Sequence, residues 1–304
     1  MSEPLVPIEP GTLVERLEQT RARALELGAL QPIATQESLI PDGGVTFQVR
    51  QVDSLARKAA ERARQPGGRP GADRRASPFL PPEPELALGA LSETHFAVLN
   101  KFNVLDSHLL MVTRQWEDQE TLLTLADMEV LAFCLGELDG LCFYNGGTAA
   151  GASQSHKHLQ LVPLPLDLEG PTVPMEPLLH AGGGEETTAL PFPHALARLD
   201  GPEAGRQPGA GKLNRIYLDL LQRIGIQPIE GDGGLRQSGP YNLLVTRRWM
   251  LAVPRQAESV DGVSVNALGF AGSLFVKDDA GLAAVRRRGP MALIRAAVVG
   301  PGGA

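Results

Sequence analysis

His156, Lys157, His158, Leu159 and Gln160 stand in one run in the middle of the chain. A glycine-rich string leads into them: Tyr144-Asn145-Gly146-Gly147-Thr148-Ala149-Ala150-Gly151-Ala152-Ser153-Gln154-Ser155. Side chains of an extended chain alternate between faces, so His156, His158 and Gln160 share one face of a strand and Lys157 and Leu159 the other. Glycine reaches dihedrals closed to other residues, and backbone N–H groups in such a loop can converge on an anion. The chemistry this pattern favours is a histidine nucleophile aimed at a phosphate.

Other readings of the same residues are weaker. His-x-His on a strand offers two zinc ligands, but a closed site needs one or two more, and His95, His108, His180 and His194 have no distinctive spacing. Cys134 and Cys142 are eight apart in an apolar pattern of helical type, at different angles and heights on a helix, and read as buried free thiols. A polar surface strand with two chance histidines does not account for the glycine loop and Ser153-Gln154 upstream. Gly146-Gly147 with Gly151 looks superficially like a nucleotide loop, yet both standard forms open a helix and the mononucleotide form needs Gly-Lys-Ser/Thr. Ser153 lacks the second glycine of a nucleophile elbow.

The elements that must position these residues are read from periodicity. Leu13, Leu17, Ala24 and Leu27 mark a helix over 12–28, stopped by Gly28. Residues 45–52 alternate as a half-buried strand, 53–64 form a short charged segment, and 65–78 is a loop rich in Pro, Gly and Arg. Two apolar strands, 95–100 and 109–113, flank a turn with Asn103 and Asp106. A helix over about 126–141 follows, with Thr124 and Asp127 spaced as a cap. The histidine strand, 156–162, closes at Pro163-Leu164-Pro165. Residues 167–211 read as an irregular crossover between an N-terminal half, 1–166, and a C-terminal half, 212–304. In the latter, 213–224 is helical, 241–246 and 249–253 are paired strands, 265–276 looks like strand, and 281–299 is helical with a break at Pro290. Leu109 to Arg114 and Leu243 to Arg247 share a pattern that raises an internal duplication.

At 304 residues and 43% apolar, the chain can bury a core of full size. A net charge of −7 argues against duplex nucleic acid, whose phosphates select a basic face, without excluding a small anion. The start, Met1-Ser2-Glu3-Pro4, has no basic region followed by an apolar run, and no stretch approaches 18 uncharged apolar residues. Neither secretion nor a membrane partner is indicated, and a cytoplasmic location is the expectation.

The string Gly151-Ala152-Ser153-Gln154-Ser155-His156-Lys157-His158-Leu159-Gln160 resembles the signature of the diadenosine tetraphosphate phosphorylase (ATP adenylyltransferase) family. This family lies in the galactose-1-phosphate uridylyltransferase branch of the histidine-triad superfamily. Pro78-Phe79-Leu80-Pro81-Pro82, Leu99-Asn100-Lys101-Phe102, Phe143-Tyr144-Asn145 and Tyr241-Asn242-Leu243-Leu244-Val245-Thr246-Arg247-Arg248-Trp249-Met250 extend the likeness over roughly residues 45 to 280. The resemblance implies an α+β fold, with an open half-barrel or antiparallel sheet flanked by helices. It also implies reversible cleavage of diadenosine tetraphosphate by phosphate to ATP and ADP, with the C-terminal half completing the nucleotide site. It makes His158 the nucleophile of a covalent adenylyl-histidine, His156 an orienting residue, and Gln160 a hydrogen-bond partner of the transferred phosphoryl group. Lys58, Asn100, Lys101, Asn145, Gly151, Ala152, Ser153, Gln154, Asn266, Ala267, Leu268, Ser273 and Lys277 fall where the family contacts nucleotide or phosphate.

Lysine rather than proline between the histidines sets the chain apart from the related uridylyltransferases. Gly146-Gly147 stands where Ser-Gly is expected, and Ala150 and Ala267 where serine is frequent. A divalent cation, Mg2+, is expected as a partner of the polyphosphate rather than as a caged metal.

Overall fold

The runs His95–Leu99, Leu109–Thr113 and Tyr241–Val245 are buried at every position, and Trp249–Pro254 at all but its last. Short segments of this kind belong inside a sheet. In the computed structural model, which describes residues 5–52, 77–167, 169–181, 189–199, 209–231 and 234–299, they are central members of an eight-stranded antiparallel sheet. In chain order the strands are β1 (Thr35–Asp42), β2 (Val45–Val52), β3 (Ala87–Ala90), β4 (His95–Leu99), β5 (Leu109–Thr113), β6 (Gly140–Gly146), β7 (His158–Pro163) and β8 (Ala195–Arg198). After them come β9 (Pro228–Gly231), β10 (Gly234–Gln237), β11 (Tyr241–Val245), β12 (Trp249–Pro254), β13 (Ser259–Val260), β14 (Val263–Ser264) and β15 (Ser273–Val276). The large sheet runs β3-β4-β5-β7-β6-β11-β12-β8, and β1-β2-β15 form a second, three-stranded sheet.

Helices α1 (Leu13–Glu26), α2 (Leu125–Glu137) and α4 (Ala210–Arg223) cover one face of the large sheet. There Leu13, Leu17, Met128, Leu131, Leu213 and Tyr217 join Met111, Leu159, Leu161, Tyr144 and Leu243 in one apolar cluster. The opposite face is covered by the small sheet and by α5 (Asp279–Arg288) and α6 (Pro290–Val299). Phe47, Val49, Leu274 and Ile294 pack with Phe143, Leu244 and Leu251 there. The expected α+β architecture, an open antiparallel sheet between helices, is the one the chain adopts.

Several local expectations hold for local reasons. The Thr124 side chain accepts from the Asp127 amide while Asp127 Oδ2 accepts from the Thr124 amide, a complete capping box. Gly289 at φ +83° and Pro290 at the first position of α6 separate the last two helices.

Others are corrected. The helix expected to reach residue 141 ends at Glu137, and Cys142 lies in β6 rather than on a helix. A Cβ on Gly140 would fall 2.5 Å from Leu161 Cδ1 and 2.9 Å from the Val162 carbonyl, so the glycine admits a close β6–β7 pairing that an apolar run does not announce. Both thiols are buried and free. Residues 167–211, read as irregular, contain α3 (Glu176–His180) and β8, the edge strand beside β12. Within 265–276, read as strand, Ala267–Ala271 is a 3₁₀ helix capped by Asn266, and only Ser273–Val276 is strand; total burial, not alternation, makes this run apolar. β1 and β3 were not expected.

The similar strings in β5 and β11 flank the central pair β7–β6. Those two strands do not correspond, β5 being the second strand of its hairpin and β11 the first of its own. A β-α-β-β unit does recur: β5-α2-β6-β7 and β8-α4-β11-β12 lie as β5-β7-β6 and β8-β12-β11 on either side of the β6–β11 ladder, with β9 and β10 inserted in the second. Residues 53–76, with the charged segment and most of the Pro/Gly/Arg-rich stretch, lie outside the described residues.

Candidate active site

β7 pairs with β5 and β6 on its two sides, with Val112 and Leu110 opposite His158 and Gln160, and Phe143 opposite Gln160 on β6. His158 and Gln160 therefore share a face with Leu110, Val112 and Phe143. His158 Nδ1 lies 2.8 Å from the backbone oxygen of His156. A carbonyl only accepts, so Nδ1 carries the proton and Nε2 keeps the lone pair. Nε2 has no hydrogen-bond partner among the described residues, and His158 lines a cavity with Phe79, Pro82, Leu86, Asn100, Ser153 and Gln160. Burial pushes the ring down to about 4, with the His156 carbonyl opposing and the His156 ring adding slightly, so His158 is neutral near pH 7.

The backbone of His158 is clamped by a residue that sequence reading missed. Gln119 Oε1 accepts from the His158 amide at 2.9 Å, and Gln119 Nε2 donates to the backbone oxygens of Asn145 (3.0 Å) and His158 (3.2 Å). His156 is fully buried. Its Nε2 lies 3.2 Å from the Gln115 carbonyl and 2.9 Å from Thr113 Oγ1, which puts the proton on Nε2 and leaves Nδ1 to accept from Ser77 Oγ at 2.6 Å. Its pKa is lowered by burial. Two residues beyond Ser77, the Phe79 ring lies 5.3 Å from the His158 ring and 5.9 Å from that of His156, roofing both.

Gln160 ends a hydrogen-bonded chain. Asn100 Nδ2 donates to His108 Nδ1 (3.1 Å), and His108 Nε2 donates to Gln160 Oε1 (2.9 Å). A second cavity meets the first at Asn100, Phe102, Ser153 and Gln160, and is lined further by His108, Phe143, Asn145, Gly151, Asn266 and Leu268. Lys101 lines the first cavity while its ammonium donates to both oxygens of Glu83, at 2.7 and 2.9 Å.

The loop between β6 and β7 is fixed from below. Asn145 Oδ1 accepts from Asn242 Nδ2 (2.8 Å) and from the Ala267 amide (3.0 Å), and Asn242 Nδ2 also reaches the Ala150 carbonyl. Buried Arg255, pushed down to about 10 by burial against a partial lift from Glu258, donates to Asn242 Oδ1 and the Ala150 carbonyl. Gly151 has φ +91°, and a Cβ there would sit 2.8–3.0 Å from Asn266 Cβ, Asn266 Cα and the Val265 carbonyl. No other residue fits. Among the described residues the backbone amides of Ser153 and Gln154 have no hydrogen-bond partner, so two donors stand uncommitted beside His158.

The remaining sequence-derived residues divide. Asn266, which lines the second cavity with Leu268, caps the 3₁₀ helix through the Leu268 amide, and the Ala267 amide is engaged by Asn145 while Ala267 itself lines neither cavity. Ala152 belongs to the same loop, its amide bonded to the Gly147 carbonyl. Ser273 is fully buried, accepts from Arg50 and lines neither cavity. Lys277 lies at the end of β15 near Val52 and Asp278, in a separate depression. Lys58 lies outside the described residues.

Lys157 points the other way. It is fully buried and donates to Asp127 Oδ2 (2.7 Å), the Leu122 carbonyl (3.1 Å) and Glu117 Oε2 (3.2 Å), while His95 Nε2 lies 3.1 Å from Asp127 Oδ1. Burial alone would raise the Asp127 carboxyl, but the His95 hydrogen bond and the Lys157 charge hold it well below the usual carboxylate range. Among the described residues no group of three or more His, Cys, Asp or Glu is placed to hold a metal ion, and no helix is long and apolar enough to cross a membrane.

A histidine with one free nitrogen, an amide and uncommitted backbone donors surround one cavity, an arrangement suited to group transfer at phosphorus, and comparison with known proteins gives the class, a nucleotidyltransferase. Residues 3–181 match the family model of the Ap4A phosphorylase N-terminal domain, and residues 188–300 that of the ATP adenylyltransferase C-terminal domain. The chain belongs to the Ap4A phosphorylase/ATP adenylyltransferase family. Protein APA1 of Saccharomyces cerevisiae is 27% identical over 302 residues, covering 89% of this chain and 88% of that protein. Diadenosine 5',5'''-P1,P4-tetraphosphate phosphorylase 2 of the same yeast is 30% identical over 234 residues, 66% of this chain and 69% of that protein. The crystal structure of yeast Ap4A phosphorylase Apa2 in complex with Ap4A superposes with a TM-score of 0.72 at 23% identity, over 95% of this chain and 98% of that one.

Proposed function

We propose that this chain cleaves diadenosine tetraphosphate with inorganic phosphate to ATP and ADP, reversibly, through a covalent adenylyl-histidine on His158. The observation that carries the reading is the tautomer of that residue. With the proton held on Nδ1 by the His156 carbonyl, the Nε2 lone pair belongs to the ring atom left for the cavity. In the first displacement Nε2 bonds to an α-phosphorus, the bond from that phosphorus to its bridging oxygen breaks, and ATP departs with the electron pair. In the second a phosphate oxygen attacks the same phosphorus, the N–P bond breaks, and ADP leaves with the imidazole neutral again.

Charge shifts onto the non-bridging oxygens in both steps. Gln160 Nε2, left to donate because Oε1 is taken by His108, and the amides of Ser153 and Gln154 are the groups that stabilise it. An amide has no proton to exchange near neutral pH, so Gln160 cannot serve as general base for water; an acceptor that is already anionic is favoured. His156, held by Ser77, Thr113 and Gln115, orients the start of the strand. Apolar Phe79, Pro82, Leu86, Leu99 and Phe102 offer a wall for an adenine. The lining carboxylate, Glu83, is ion-paired with Lys101, so the described donor set does not cage a metal. We assign Mg2+ to the polyphosphate, as part of the substrate, and route no step through it. Two buried free thiols fit a reducing compartment, and the cytoplasm is the proposed location.

The test is incubation with radiolabelled diadenosine tetraphosphate with and without phosphate. Phosphate-dependent release of ATP and ADP is expected, with an acid-labile, base-stable protein adduct when phosphate is withheld. Equal yields of ATP and AMP regardless of phosphate would replace this reading with a hydrolase.

A further inference from the structure

We propose that His108 is a positioning residue that fixes which end of the Gln160 amide faces the cavity, an inference that rests on Gln160 contacting the transferred phosphoryl group. Gln160 has a donor end and an acceptor end of nearly equal size. Only the donor end helps a phosphoryl oxygen; the acceptor end repels it. Nothing in β7 itself selects between them. His108 stands just ahead of β5, two residues before Leu110, the cross-strand partner of Gln160, so its side chain reaches the same face one step along the ladder. Its ring rests against Phe143, also opposite Gln160, at 5.8 Å.

The polarity of the chain is set at its far end. Asn100 follows β4, and its amide nitrogen bonds to the His108 carbonyl at 2.8 Å, so the two residues close the neck of the β4–β5 hairpin. Asn100 Nδ2 can only donate, which makes His108 Nδ1 the acceptor and Nε2 the donor; a donor at 2.9 Å requires Oε1 of Gln160 on its side and Nε2 on the cavity side. His108 and Asn100 thus convert a backbone turn into the orientation of one amide.

The test is a double-mutant cycle with a rescue, read as ATP and ADP formed. His108→Phe keeps a ring against Phe143 and removes the donor; kcat is expected to fall roughly 10- to 100-fold with KM within about twofold. His108→Gln restores a donor to Gln160 and is expected to recover kcat to within about threefold of the parent. In a Gln160→Ala background, His108→Phe should cost less than about twofold. Full kcat in His108→Phe, an additive loss in the Gln160→Ala background, or a loss confined to KM overturns the proposal. Gln160→Ala at parental kcat overturns it together with the phosphoryl role of Gln160, whereas a slow Gln160→Ala beside a fast His108→Phe overturns the relay alone. Independently of any variant, 15N chemical shifts of the unaltered protein should place the His108 proton on Nε2, and a proton on Nδ1 refutes the chain.

Discussion

The chain entering β7 presents two faces one residue apart, at Lys157 just before the strand and His158 at its start, built on opposite terms. On the front, His158 is neutral and keeps one nitrogen without a partner among the described residues. On the back, Lys157 is held by two carboxylates and a carbonyl, fully out of water. For the proposed chemistry the nucleophile must be under-bonded to react, while the strand that aims it must not move. Alternation along a strand lets one short segment satisfy both demands, with reactivity at one residue and anchorage at its neighbour.

The largest expected effect breaks the front. His158→Asn should lower kcat by on the order of 10⁴ or more while thermal unfolding stays near the parent; turnover within tenfold of the parent would move the chemistry off this face. Next comes the back. Lys157→Met leaves Asp127 buried without its cation and should cost about 3–5 kcal/mol in urea unfolding, and a loss below ~1 kcal/mol would mean that the back face does not anchor.

The third prediction separates the faces by pH. Burial lowers the His158 ring from 6.5 to about 4, so between these values the unfolded chain takes up a proton that the native ring refuses. Stability from this group is complete above about pH 6.5 and declines as pH falls toward 4, and lowered His156 acts in the same direction. Asp127, held low, resists protonation throughout that window. NMR titration checks it: a His158 ring titrating at its ordinary value would make the front face no drier than solvent. The smallest effect is Glu117→Gln, below about 1 kcal/mol in the same urea assay, because this carboxylate is 38% exposed where Asp127 is 1%. A larger cost would sharpen the back face into a true triad of charges.

What was legible in the sequence is what is local. The shared face of His156, His158 and Gln160 follows from period two, the Thr124–Asp127 box from a spacing of three, and the break at Pro290 from a missing N–H. The site's supports come from far along the chain: Ser77 lies 79 residues from His156, Gln119 39 from His158 and His108 52 from Gln160. No spacing encodes such pairs. The acceptor that sets the His158 tautomer is a main-chain carbonyl, which has no residue type to recognise. Where burial is complete, as over Ala267–Ala271, apolar letters no longer separate strand from helix, and Asn266 as a cap is visible only once Leu268 is seen to bond to it.

The ladder between β6 and β11 has a consequence for anyone who divides this gene. The two matched family segments meet in sequence between residues 181 and 188, but in space they meet at that ladder, where Tyr241–Val245 pairs with the run from Gly146 back to Cys142. A fragment ending at the sequence boundary would carry a bare, apolar sheet edge, a template for clumping with its own copies. The pieces are expected to be tractable only when made together, as a non-covalent pair whose seam runs through the middle of one sheet.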